Sequence, residues 1–332
     1  MIRLLAGLML FSCFAAPALA GLDAAAVNNA EFKGKAPAED RIDPVVVKAQ
    51  VLLDRANFSP GEIDGKLGEN AEKALKAFAE AKGLAVGKQP LTPEIWSALL
   101  GINSDPVIID YKITEKDAKG PFLEKLPAKM EDMKGLKSLD YTSPREAIAE
   151  KFHMSEALLA ALNPGKQFDE AGQTISVVNV PAKEDRPAVA RVEVDKTAQT
   201  LKAFGSSGEL IAFFPATVGS EEKPTPSGVL KVTSIDANPY YRYNPDYKFR
   251  GVKAKRAFTI KPGPNNPVGT QWIGLSPGEG YGIHGTANPS KISKSESNGC
   301  VRLTNWDVDR LARLLKKGTE VAFIERSAAN RK

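Results

Sequence analysis

The hydrophobic period of this 332-residue chain changes near Ala188, and that change constrains the fold more than any other feature. Before it, apolar residues recur three and four apart behind Asp43-Pro44, Thr92-Pro93 and Ser143-Pro144, the pattern of short capped helices. After it, Val189 to Val194, Gln199 to Phe204, Leu210 to Val218 and Val229 to Ile235 are separated by Gly, Ser and Pro turns, the pattern of strands. One side-chain period cannot serve both patterns, so the chain is built from separate units. Its apolar share of 42% is enough for ordinary cores. The expected fold class is multidomain, with a small all-α bundle over 42–102, a small α+β module over 139–183 and a mainly-β domain over 188–326. Residues 21–41 and 103–138 read as linkers and 327–332 as a tail.

In the first unit Asp43 reads as an N-cap, Pro44 as a first-turn residue, and Val47, Val51, Leu52, Leu53 and Ala56 as an apolar face. Ser59-Pro60-Gly61 and Asp64-Gly65 punctuate a turn-rich loop. Ala71, Leu75 and Phe78 make a second helix that Gly83 ends, and Thr92-Pro93 opens a third carrying Ile95, Trp96, Leu99 and Leu100. With Phe58 to Gly68 between its first two helices, this order resembles the peptidoglycan-binding-domain-like helical bundle, although a generic spacer bundle has the same stripes. In the second unit Ala147, Ile148 and Phe152 form one helical face and Leu158, Leu159 and Leu162 another, Asn163-Pro164-Gly165 breaks the second helix, and Gln173 to Val178 alternates like a strand. That pattern resembles a LysM carbohydrate-binding repeat. His153, just after Phe152, reads as a surface or capping histidine. Both modules are expected to bind wall polymer and to contribute localisation without chemistry.

Residues 1–20 combine Arg3, an apolar run from Leu4 to Ala16 and Ala18-Leu19-Ala20, the layout of a secretory signal cut before Gly21. Leu10-Phe11-Ser12-Cys13 loosely matches a lipoprotein box and leaves an acylated Cys13 as the alternative. The run falls short of the roughly 20 residues a bilayer span needs, so no integral membrane segment is expected after signal cleavage. Net charge is +5, from 45 basic and 40 acidic side chains, too mild to imply nucleic acid. Tyr240, Tyr241, Tyr243, Tyr247 and Phe249, interleaved with Lys248, Arg250, Lys253, Lys255 and Arg256, suit nucleic acid or an acidic sugar polymer, and a folded surface hairpin over a cleft is the preferred reading.

Signal cleavage would leave Cys300 as the last thiol of an exported protein. An unpaired Cys in an oxidising compartment is either buried and inert, paired between molecules, or kept for its reactivity. Cys300 stands in Ser297-Asn298-Gly299-Cys300-Val301-Arg302, a turn able to present a thiol together with backbone N–H groups. A free thiol is only a few per cent thiolate at neutral pH, so acyl chemistry needs a neighbouring base. The chain has two His, and His153 belongs to another module, which leaves His284 in Gly282-Ile283-His284-Gly285-Thr286. One Cys and one His do not complete a metal site of three or four ligands, so no metal is expected.

His284-Gly285-Thr286 followed by Ser297 to Arg302 resembles the signature of the L,D-transpeptidase catalytic domain, the YkuD type, over roughly residues 189–325. Thr225-Pro226-Ser227-Gly228, Pro262 to Gly269 and Trp272-Ile273-Gly274-Leu275-Ser276 add to the match. The resemblance implies a β-sandwich-like catalytic domain in a secreted or periplasmic, cell-wall-associated enzyme. Such an enzyme takes an acyl group from the L,D bond of a peptidoglycan stem tetrapeptide and passes it to an amine, without metal or organic cofactor. Carried onto this chain, it implies Cys300 as nucleophile, His284 as general base and the Gly285 carbonyl as the group that orients the imidazole. It further implies oxyanion donors among the Asn298, Gly299 and Cys300 N–H groups of the turn that Ser297 begins, and Arg302 to position that turn or a substrate carboxylate. Family members often carry a second His two residues before the Cys, where this chain has Asn298, so a role requiring imidazole there does not operate. The implied partner is peptidoglycan, through its stem peptides and glycan strands. Two other readings share the residues: an L,D-carboxypeptidase or amide hydrolase in which water takes the acyl group, and a non-catalytic wall-binding protein with an inert Cys300.

Overall fold

The computed structural model describes residues 22–35, 37–180, 188–247, 252–276 and 280–325. The expected signal segment with Cys13, Lys248, Phe249 and Arg250 of the basic stretch, and the 327–332 tail lie outside the described residues.

The N-terminal half opens with α1 (Ala24–Asn28), α2 (Pro44–Arg55), α3 (Glu69–Ala81) and α4 (Pro93–Leu100), continues through β1 (Ile108–Lys112), α5 (Glu115–Lys119) and α6 (Met130–Met133), and ends with α7 (Pro144–Lys151), α8 (Glu156–Leu162) and β2 (Thr174–Val178). The expected caps form: Asp43 accepts from the Val45 N–H, Thr92 from the Ile95 N–H and Ser143 from the Glu146 N–H, each followed by Pro in the first turn. The two spans read as linkers carry structure. Val27 of α1 is fully buried in the helical core, and β1, inside 103–138, pairs antiparallel with β2 from Ile108↔Val178 to Lys112↔Thr174. A five-residue strand whose partner lies some sixty residues downstream leaves little periodic signal. As a result, side chains from 42–102 and from 139–178 share one hydrophobic core, with Leu53, Phe78, Ile148 and Val177 all inside it.

The C-terminal half runs β3 (Arg191–Asp195), β4 (Thr200–Phe204), β5 (Leu210–Pro215), β6 (Gly228–Ala237), β7 (Tyr241–Tyr243), β8 (Phe258–Ile260), β9 (Gln271–Ser276), β10 (Gly282–His284), β11 (Val301–Arg302), α9 (Asn305–Leu314) and β12 (Glu320–Ile324). Eight of these strands form one sheet in the order β11-β10-β9-β6-β12-β3-β4-β5, parallel at β10/β11 and β12/β3 and antiparallel elsewhere. The domain is mainly β, as expected, built as one curled mixed sheet whose two ends meet where Thr217 pairs with Arg302. Alternation such as buried Val192 and Val194 beside half-buried Arg191 and Glu193 reports that a strand has an inner face, not what covers it. Here the cover includes α9, whose Val308, Leu311 and Leu314 join Val192, Leu201 and Ile273 in one core. Within the aromatic and basic stretch, Tyr241–Tyr243 forms β7 and pairs antiparallel with β8, and Tyr243 stacks on Phe258 at 4.7 Å between ring centroids.

The two halves meet across the other side of α9. Asp54 of α2 accepts two bonds of 3.0 Å from Arg310 Nη2, and His153 Nδ1 lies 3.2 Å from Asp54 Oδ2 with its ring stacked on Trp306 at 5.3 Å. The Ser59 hydroxyl donates to Asp307 Oδ2 at 2.8 Å. Backbone bonds from Ser59 N to Phe213 O and from Phe213 N to Asn57 O tie the turn-rich loop to β5. His153 is thus an interface residue rather than a surface one. Burial pushes the Asp54 carboxyl up, but the charges of Arg310 and His153 outweigh it and hold it well below the carboxylate range. Burial raises the Asp307 carboxyl to about 7, against the pull of Arg310.

Candidate active site

The β10/β11 pairing brings the site together. The strands are parallel with Ile283 opposite Val301 and His284 opposite Arg302, so Cys300, one residue before β11, arrives beside the strand that ends in His284. Continuing the sheet edge, Thr217 exchanges backbone bonds with Arg302 in both directions. The Cys300 thiol donates toward the Gly280 carbonyl at 3.4 Å. His284 is buried, Cys300 half-buried, and both line one cavity of about 580 Å³ with Trp272, Asn298, Arg302 and Tyr241.

His284 Nδ1 sits 2.7 Å from the Gly285 carbonyl, and a carbonyl can only accept, so that nitrogen carries the proton and Nε2 holds the lone pair of the neutral ring. Burial lowers the imidazole to about 3; the Arg302 guanidinium acts in the same direction and the Gly285 bond against it. Burial raises the thiol to about 11 despite the Gly282 N–H and Arg302. Both shifts favour the neutral forms, a thiol and an uncharged imidazole.

The turn is organised around Ser297, whose hydroxyl donates to the Cys300 carbonyl at 2.5 Å and accepts from the Gly299 N–H at 3.1 Å. That bond occupies the Gly299 N–H in this state; among the described residues the Asn298 and Cys300 N–H groups donate to no protein acceptor. Gly299 has φ +105°, a backbone that a side chain rarely adopts, and a Cβ there would lie 3.1 Å from the Tyr281 ring. Arg302 lines the cavity and reaches the Glu296 carbonyl at 3.4 Å.

Sequence reasoning missed three participants. Trp272, opposite His284 in the β9/β10 ladder, stacks on its ring at 5.7 Å, and a Cβ on Gly282 would lie 2.6 Å from the indole, so the glycine two residues before the histidine was a usable signal. Met130 reaches the cavity from α6, and nothing in its surroundings announced this. Asn305 opens α9 behind its N-cap Thr304, a local setting that announces no contact outside the helix. Thr304 does cap α9, accepting from the Asp307 N–H at 3.2 Å, but the Asp307 carboxylate turns to Ser59 and the Asn305 amide reaches the loop of His284.

A mainly-β catalytic domain whose cleft presents one thiol and one neutral imidazole delimits the class. The family model for the L,D-transpeptidase catalytic domain, YkuD, matches residues 189–322. The Bacillus licheniformis protein YkuD, named as an L,D-transpeptidase, is 30% identical over 180 residues, which covers 54% of this chain and 92% of the relative. Its namesake in Bacillus subtilis is 30% identical over 53% of this chain and 91% of its own length. YbiS of Escherichia coli, also named as an L,D-transpeptidase, is 28% identical over 55% of this chain and 61% of its own. This chain belongs to the L,D-transpeptidase family of the YkuD type and is an enzyme of that class. Among the described residues no helix is long and apolar enough to cross a membrane.

Proposed function

We propose that this chain is an exported cell-wall L,D-transpeptidase in which Cys300 carries the acyl group of a peptidoglycan stem tetrapeptide and His284 moves the protons. The observation that carries the reading is that one cavity is lined by both a half-buried thiol and an imidazole whose Nδ1–H is spent on Gly285. As the sulfur attacks the carbonyl of the L,D bond, Nε2 of His284 takes the thiol proton, and the tetrahedral oxyanion gains the Asn298 and Cys300 N–H groups. Collapse breaks the C–N bond. The imidazolium returns its proton to the departing amine, the terminal D-amino acid leaves, and a thioester remains on Cys300. An acceptor amine then attacks the thioester, His284 takes its proton, and the thiol is regenerated. Arg302, beside both groups, supports the turn and faces the cavity with a cation suited to a stem-peptide carboxylate. The N-terminal half, with its resemblances to wall-binding modules, would hold the enzyme on peptidoglycan.

A carbapenem, a strained acyl donor, tests this. Intact-mass analysis is expected to show one adduct on the wild type and none on Cys300→Ala, and His284→Ala is expected to slow acylation by about 10²–10⁴-fold. An adduct on Cys300→Ala equal to that on the wild type, or none on either, ends the nucleophile assignment. Products from purified muropeptides separate transfer to an amine from release to water.

A further inference from the structure

The peptide between Gly285 and Thr286 faces two ways. Its carbonyl accepts the His284 Nδ1–H, while its N–H donates to Asn305 Oδ1 at 3.1 Å, so one planar unit joins the imidazole to Asn305. The same Oδ1 accepts from the Thr270 N–H at 3.2 Å, in a niche that Gly269 and Gly285 leave open: a Cβ at either glycine would collide with it. The opposite end of the amide is equally committed, with Nδ2 donating to Glu150 Oε2 at 3.0 Å and to the Pro264 carbonyl at 3.1 Å. Two N–H groups can only donate and a proline carbonyl can only accept, so the partners alone decide which end of the amide is oxygen. Glu150 belongs to α7, in the module expected to do no chemistry. It is buried and also within 3.3 Å of the Tyr141 hydroxyl. A bond to the N–H of a peptide strengthens its carbonyl as an acceptor, so this chain acts on the tautomer of the ring as well as its direction.

We propose that Asn305 is a positioning residue for the L,D-transpeptidase reaction, holding the Gly285–Thr286 peptide so that its carbonyl fixes His284 as the Nδ1–H tautomer, and that Glu150 of the N-terminal half sets the orientation of the Asn305 amide. The proposal rests on His284 being the base. It differs from a packing role because it predicts where one proton resides.

The test uses the full chain labelled with ¹⁵N, in which only two imidazoles exist and His153 serves as internal reference. In the wild type His284 is expected to show Nδ1 protonated and Nε2 bare. Asn305→Ala is expected to lower the carbapenem acylation rate by about 10- to 100-fold with little change in the concentration dependence, and to shift His284 toward a mixture of tautomers. Asn305→Asp, which keeps an acceptor at the niche, is expected to recover part of the rate and most of the tautomer. A wild-type tautomer in Asn305→Ala overturns the proposal even if the rate falls. If the Asn305 variants do not fold, Glu150→Ala and Glu150→Gln decide: Gln, which retains an acceptor for Nδ2, must perturb His284 less than Ala, and an unmoved tautomer in Glu150→Ala overturns the proposal. The tautomer is read without turnover, so failure of the Cys300 adduct and failure of this positioning role are told apart.

Discussion

Asp54→Ala is expected to cost about 3–5 kcal/mol, the range for removing one partner of a buried ion pair. The structure places it there rather than near the 0–1 kcal/mol of exposed pairs. Asp54 and Arg310 have side chains only 1% and 4% exposed, the carboxylate takes both of its 3.0 Å bonds from one guanidinium nitrogen, and among the described residues Arg310 Nη1 has no hydrogen-bond partner. Removing the carboxylate strands a cation between the two halves and also releases His153. Because the folded-state carboxyl lies below its ordinary value, the contribution is complete above roughly pH 4 and fades only as pH falls further. Urea unfolding followed by tryptophan fluorescence measures the loss, with Trp306 beside the pair as reporter. Arg310→Met on the Asp54→Ala background is expected to restore a large part of it, since the stranded charge is gone. Single variants each costing under about 1 kcal/mol, or a double variant as costly as the sum of the singles, would refute the claim that this pair couples the halves.

With the imidazole lowered to about 3 and the thiol raised to about 11, base and thiol are both in their working forms throughout the intervening range. Carbapenem acylation followed by stopped flow is therefore expected to be flat from about pH 5 to 9, where a thiolate–imidazolium pair would give an acid limb near the ordinary histidine value; such a limb between pH 5.5 and 8 contradicts the neutral-pair assignment. Gly299→Ala is expected to cost about 1–3 kcal/mol, because it forces a side chain to φ +105° against the Tyr281 ring, and to slow acylation by displacing Cys300. Thermal unfolding and the same acylation assay check both, and unchanged values in both would show that the turn tolerates a Cβ.

Features carried by neighbours in the chain were legible without a structure. The caps at Asp43, Thr92 and Ser143 and the turn at Asn163-Pro164-Gly165 follow from local steric and hydrogen-bonding rules that the folded chain obeys. Cys300 and His284 stood out as candidates for a different reason: with so few thiols and imidazoles, counting nearly selects them.

What only the tertiary structure decided is which surfaces meet. Asp54 and Arg310 are 256 positions apart, and each reads as an ordinary solvated charge until α2 and α9 pack together. His153 carried the same ambiguity, and the partners of the Asn305 amide, Thr270, Thr286, Glu150 and Pro264, come from segments distant in the chain. Alternation told each strand that it had an inner face, yet which strands and which helix meet over that face rests on the order of eight strands, a property of long-range pairing. Periodicity records how one residue relates to the next few along the chain. Burial of a polar group and the partner that satisfies it depend on segments whose separation in sequence leaves no local trace.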